Sequence, residues 1–269
     1  MRKNSQTLTT QSIPALIKQL AIPASIGMFF NTMYNVVDTF YAGLISTQAI
    51  SALTLSFMIF FLIIGFGYGF SSAITALLGN ALGKKRYKLA SIYAHKGLIF
   101  VPLIGLTLSI IGYFFAPSLF MFLGAKDEYL QISLDYINPI LFGAIFFMFN
   151  FSLNSILIAT GDTKTYRNSL IFGFFANLAL NPLFMYGFLF VPAMGIKGIA
   201  FATVLIQIIN MFYLFYKVLQ TKLIHFDKLE YFIPNLRIYK LFFTHGIPSS
   251  LNMLTMAIGS LILTYFVSH

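Results

Sequence analysis

The chain has 269 residues, of which 58% are hydrophobic and only 9% charged, and its mean hydropathy is +0.84. Soluble domains average about 25% charged residues, so this composition cannot cover a water-facing surface and predicts an integral membrane protein. The net charge of +10 argues little for nucleic acid, because the bases sit in short clusters between apolar runs, and the absence of cysteine excludes disulfides, thiolate chemistry and cysteine-ligated metal.

Residues 1–19 are predicted to be a cytoplasmic arm. The apolar run that follows is longer than a signal-peptide core and has no small-residue cleavage site, which makes it a retained span. Span 1 covers 20–42, and Pro23 is expected to kink it or to end a short interfacial helix, since proline removes an intrahelical donor. Span 2 covers 52–79, where Gly65, Gly67 and Gly69 permit close helix approach. A basic loop, GNALGKKRYKLAS, occupies 79–91. Span 3 covers 92–115 and is expected to stop near Pro117, followed by a connection over 116–132 that holds Lys126, Asp127 and Glu128.

Span 4 is placed at 133–158 with Asp135 at its mouth, and GDTKT at 161–165 is expected to cap and orient helices. Span 5 is placed at 169–190 and span 6 at 198–219. The segment 220–245 is predicted to be a polar cytoplasmic linker, and a seventh apolar stretch occupies 246–269. With the amino terminus inside, 15 of the 17 basic residues fall on the cytoplasmic side, and only Lys126 and Lys197 fall outside. The predicted fold class is an all-α polytopic membrane protein with six spans and part of a seventh helix.

An internal echo supports this organisation. IPASIGMFFNTMYNVVDTFYAG from Ile22 aligns with IPSSLNMLTMAIGSLILTYFVS from Ile247, matching Pro23 with Pro248 and Thr39 with Thr264. An even number of spans between the copies gives both the same orientation, as in parallel transporter repeats. Leu263 stands in the second copy where Asp38 stands in the first.

Asp38 is the acid of interest, since no other Asp or Glu lies inside an apolar span, and an intramembrane carboxylate is expensive enough to mark an ion or substrate path. At 1.5 Å per residue Asp38 lies about 27 Å along span 1, in the outer half. Asn177 and Asn181, four apart on one face of span 5, and Thr203 of span 6 reach a similar level. A carboxylate, two amides and a hydroxyl are hard oxygen ligands suited to a proton or a cation such as sodium. The competing expectations are that Asp38 faces headgroups, that the asparagines join helices and that Thr203 bonds its own backbone. Phe29, Phe30, Tyr34 and Tyr68 are candidates to line an apolar cavity. GFGYG at 65–69 lacks the strand–turn–helix setting of a dinucleotide site, and the four histidines lack zinc-site spacing.

In LAIPASIGMFFNTMYNVVDTFYAG at 20–43, GFSSAITALLGNALGKKRYKLA at 69–90, ILIATGDTKTYRNSLIFGFFANLALNPLFMYG at 156–187, FVPAMGIKGIAFAT at 190–203 and GIPSS at 246–250, the sequence resembles the multidrug and toxic compound extrusion (MATE) family. That resemblance implies the six-helix amino lobe of a two-lobed, V-shaped, twelve-span exporter plus the first helix of an incomplete carboxyl lobe. It also implies export of cationic or amphipathic organic compounds from the plasma membrane in exchange for protons or sodium. No enzyme activity and no cofactor beyond the coupling ion are implied. The expected partners are the organic cargo, the bilayer and a carboxyl lobe in cis or on a separate chain. Asp38, Asn177 and Thr203 match the family's amino-lobe ion site, whereas Asn181 stands where many prokaryotic members have a second carboxylate. A related flippase for lipid-linked saccharides and a non-transporting truncated fragment remain as alternatives.

Overall fold

The computed structural model describes residues 11–188, 191–227 and 229–268. Arg2, Lys3, Lys228 and His269, and the first ten residues of the predicted arm, lie outside the described residues, as does the side chain of Thr264. Among the described residues the chain forms seven long α-helices: α1 Ile13–Ile45, α2 Thr47–Gly83, α3 Tyr87–Phe122, α4 Asp127–Ala159, α5 Lys164–Tyr186, α6 Ile196–Gln220 and α7 Leu236–Ser268. A short 3-10 turn, Leu229–Tyr231, precedes α7. Helices α1 to α6 are each long and apolar enough to cross a membrane, giving a multi-pass bundle.

Most of the helices outrun their apolar stretches. The 37 residues of α2 span about 55 Å, against a hydrocarbon layer of about 30 Å, so helical backbone continues well into the polar zone. Several predicted boundaries are corrected by this. The chain does not break near Pro117: α3 runs through Pro102 and Pro117 to Phe122, and the predicted connection over 116–132 shrinks to residues 123–126. What stops α3 is Gly124, at φ 90°, where the amides of Gly124 and Ala125 bond back to Met121 and Phe120. Gly161, at φ 86°, ends α4 in the same way.

Asp135 therefore lies inside α4, where it pairs with Lys197 of α6 at 3.1 Å. Nor does a helix end at Pro23, which sits buried within the continuous α1. The seventh helix begins at Leu236, ten residues before the apolar stretch at 246–269, because Asn235 accepts hydrogen bonds from the amides of Arg237 and Ile238. The inter-helix segment is thus 221–235 and not 220–245.

The centre of the bundle is α4, which packs against α2, α3 and α6, while α1 leans chiefly on α5 and α7 runs along α2. The apolar stretch of α4 is 78% buried and that of α1 only 11%. Lipid chains are as apolar as leucine, so what holds such helices together is close packing and hydrogen bonding and not the expulsion of water. The contact of α2 with α7 shows this: a Cβ on Gly69 would overlap Ser250 and the Gly246 carbonyl.

Candidate functional site

Asp38 reaches the interior because α1 turns one narrow face toward α5 and α6. Its side chain is 2% exposed. On α5, Asn177 and Asn181 stand one turn apart and both amide groups donate to Asp38 Oδ1 at 2.8 Å. The two asparagines also exchange bonds with each other at 3.4 and 3.2 Å. From α6, Thr203 Oγ1 donates to Asp38 Oδ2 at 3.3 Å. The four residues placed at one level by counting residues along three spans are in direct contact, and all four are buried.

Local sequence explains how they meet. A Cβ on Gly198 would collide with the Phe184 carbonyl group, so only glycine lets the start of α6 come this close to α5. Pro182 follows Asn181 and has no N–H, which leaves the carbonyl of Leu178 without its helical partner. Tyr41 of α1 donates its hydroxyl to that carbonyl at 3.1 Å. A proline in one helix thereby creates an anchor for the next, three residues beyond Asp38.

A cavity of about 100 Å³ opens beside Asp38. Tyr34 and Tyr68 line it. Phe29 does not, correcting the expectation that it faces the cavity. It stands nine residues before Asp38, about 180° around a helix of 3.6 residues per turn, and is 58% exposed. Phe30 packs edge-on against Phe174 of α5.

Sequence reasoning missed a second polar group in the same cavity, formed by Asn31, Asn35, Asn150, Gln207 and Asn210. Asn150 donates to the Gln207 side chain at 2.8 Å and to its backbone carbonyl at 3.0 Å, bridging α4 to α6, while its own Oδ1 is buried without a partner. The signal was present in the sequence as amides inside apolar spans.

Chemically, the centre is one carboxylate held by three neutral donors. No Lys or Arg lines the cavity, and among the described residues no group of three His, Cys, Asp or Glu forms a metal cluster. Neutral donors compensate part of the cost of burying the charge but leave it unneutralised. A carboxylate in such a setting has the chemistry to hold a proton, or a small cation with the asparagine oxygens turned toward it.

The chain matches the MatE family model over residues 23–183. It is 29% identical over its whole length to "Probable multidrug resistance protein YoeA" of Bacillus subtilis, covering 60% of that protein. It is 26% identical over 75% of its length to "FAD transporter" of Shewanella oneidensis, covering 44% of that protein. A solved structure described as "MATE in the bent conformation" superposes with a TM-score of 0.85 at 28% identity, over 95% of this chain and 56% of that one. The chain thus spans about half the length of the relatives it matches. With a family model covering more than half of the residues and a bundle that superposes on a solved transporter, this chain belongs to the MatE family and is a membrane transporter-family protein rather than an enzyme.

Proposed function

We propose that this chain supplies the amino-terminal lobe of a secondary antiporter that exports cationic or amphipathic organic compounds in exchange for protons or sodium. In this reading residues 20–219 form the lobe, 221–235 join it to the next, and α7 opens a carboxyl lobe carried in cis or on a second chain. The protein sits in the plasma membrane with its amino terminus in the cytoplasm, consistent with the distribution of its basic residues.

The observation that carries the proposal is Asp38: a carboxylate 2% exposed, donated to by three neutral groups and facing no cation across the cavity. Asp38 takes up the coupling ion, with Asn177, Asn181 and Thr203 as its immediate partners. Uptake neutralises the charge, weakens the pull of the asparagine donors and loosens α1 from α5. Because α1 is the least buried of the six spanning helices, it is the element freest to move. The cavity measures about 100 Å³. A drug-sized ligand needs about 300 Å³ or more, so cargo binds in a state in which α1 has shifted. Tyr34 and Tyr68 would then border the cargo. A cavity with one acid and no base favours cationic over nucleotide cargo.

The test is ion-gradient-driven efflux of a fluorescent organic cation from vesicles holding the whole transporter. Asp38→Asn abolishes coupled export while leaving the protein in the membrane. Unchanged efflux by a correctly inserted D38N protein overturns the assignment, and varying external sodium and pH independently distinguishes the two ions.

A further inference from the structure

The amide side chains that line the Asp38 cavity all lie on one side of the acid. Helices α1 and α5 rise from the end of the bundle that carries Lys84, Lys85, Arg86 and Lys164, and α4 and α6 return to it. Residues before Asp38 and Asn177, and after Thr203, therefore lie toward that basic end. At 1.5 Å per residue Asn210 of α6 is about 10 Å from Thr203 in this direction, and Ser169 of α5 about 12 Å from Asn177. Both line the cavity, with Tyr34, Asn150 and Gln207 at levels between them and the acid. A Cβ on Gly173 would stand 3.6 Å from Asn210 Nδ2 and 3.8 Å from the Tyr34 ring, so α5 offers bare backbone where side chains of α1 and α6 face one space.

The opposite side of Asp38 is apolar. There α6 buries Ile196, Ile199, Ala200 and Ala202, α5 buries Met185 and α1 buries Ala42, with the Tyr136 phenol of α4 beside them. Two oxygens on the amide side are buried with no protein partner. Asn150 is 4% exposed and bonds Gln207 through its nitrogen, leaving Oδ1 unpaired. The Tyr34 hydroxyl, one turn from Asp38, lies near Thr203 and Asn177 without a hydrogen bond to either. Buried polar atoms in folded proteins are ordinarily satisfied, so an orphaned pair in one cavity calls for an explanation. Neutral amide and hydroxyl oxygens suit a path, because they solvate a small cation or a proton-bearing water without holding it as a second carboxylate would. At the far end Tyr166, Tyr68, Phe151 and Leu214 close the cavity, and Tyr166 stands in the first turn of α5, beside the loop from α4.

We propose that the polar column running from Asp38 past Tyr34, Gln207 and Asn150 to Asn210 and Ser169 is the inward release route of the coupling ion, closed at its inner end by Tyr166 and Tyr68. The route rests on the reading of Asp38 as the ion site and gives that site its exit.

Thiol accessibility tests it. The chain has no cysteine, so Ser169→Cys and Asn210→Cys each place a single thiol in the column. In vesicles holding the full chain, a membrane-impermeant cationic methanethiosulfonate labels each thiol about tenfold or more faster from the cytoplasmic face than from the outer face, as a water-filled path with neutral walls allows. Ser169→Cys replaces a hydroxyl by a thiol of similar size, so the measurement stands even where N210C fails to fold. In the whole transporter, complete labelling of either thiol fixes a positive charge in the path and slows efflux driven by a sodium or proton gradient about tenfold, relative to the same variant before labelling. Labelling of both thiols that is equal or faster from outside overturns the route, as does efflux that stays within about twofold after complete labelling. Those results with D38N inactive overturn the route alone, whereas coupled efflux by D38N overturns the ion site and the route together.

Discussion

Helices α1 and α7 begin their matching stretches with the same Ile-Pro pair and are held in different ways. Pro23 and Pro248 both sit inside long continuous helices. At the equivalent deeper position, α1 has Asp38, 2% exposed, and α7 has Leu263, 68% exposed. Helix α7 adheres to α2 by shape, with Gly65, Gly69, Gly246 and Ser250 removing the bulk that would keep the backbones apart. Helix α1 also approaches α5 closely at Gly27, where an added Cβ would meet Leu170 and the Arg167 backbone, and it is tied further to α5 and α6 by the bonds of Asp38 and Tyr41. One opening pattern thus yields one helix fitted against a neighbour's small residues and another whose acid is also held by hydrogen bonds from two neighbours.

Breaking the packed side should cost most. Gly69→Leu drives a side chain into Ser250 and the Gly246 carbonyl, at about 3 kcal/mol, the upper end of the usual overpacking range. Thermal unfolding in detergent should show the loss, and proteolysis should release α7 first. Leu263→Asp gives α7 the acid of α1 without its donors. Insertion should become about 3 kcal/mol less favourable, and no new ion dependence should appear in vesicle efflux.

On the polar side, Asn177→Leu removes one of three donors to a buried carboxylate. A hydrogen bond to a charged group contributes about 1.5–3 kcal/mol, so the ion concentration for half-maximal efflux should shift roughly 10- to 100-fold. Asn181→Asp supplies a second carboxylate beside Asp38, and the half-maximal sodium concentration should fall by about tenfold, equivalent to 1.4 kcal/mol. Tyr41→Phe strands the Leu178 carbonyl exposed by Pro182. It should cost about 1 kcal/mol in thermal stability and leave the ion response nearly intact.

Much of the candidate site was legible because membrane sequences advertise their exceptions. An aspartate in an apolar span, two asparagines one turn apart and a threonine at a matching level are conspicuous against leucine and phenylalanine, and periodicity alone put them within reach of one another. The same reasoning misplaced Phe29, since a tally of aromatic residues in span 1 ignores the half-turn that separates it from Asp38. It passed over Asn150 and Gln207 because their pairing joins two helices at a level that counting had not singled out. Helix ends were misjudged for a different reason: hydropathy reports where hydrocarbon stops, whereas hydrogen bonding at Gly124, Gly161 and Asn235 decides where the backbone turns. The buried role of Lys96 was also hidden, because a lysine next to a basic loop reads as a topology charge until the Glu230 and Ile233 carbonyls it binds are seen.

By itself the sequence determined that this chain lives in a bilayer, crosses it six times and carries one acid inside, because lipid tolerates so few charges that composition and spacing leave little choice. Only the tertiary structure decided which helices touch, that Asp38 is enclosed by donors without a cation, and that the amides lining its cavity lie on one side of it. Those outcomes depend on side-chain direction and on backbone atoms meeting across distant segments, which the order of residues along one helix does not encode.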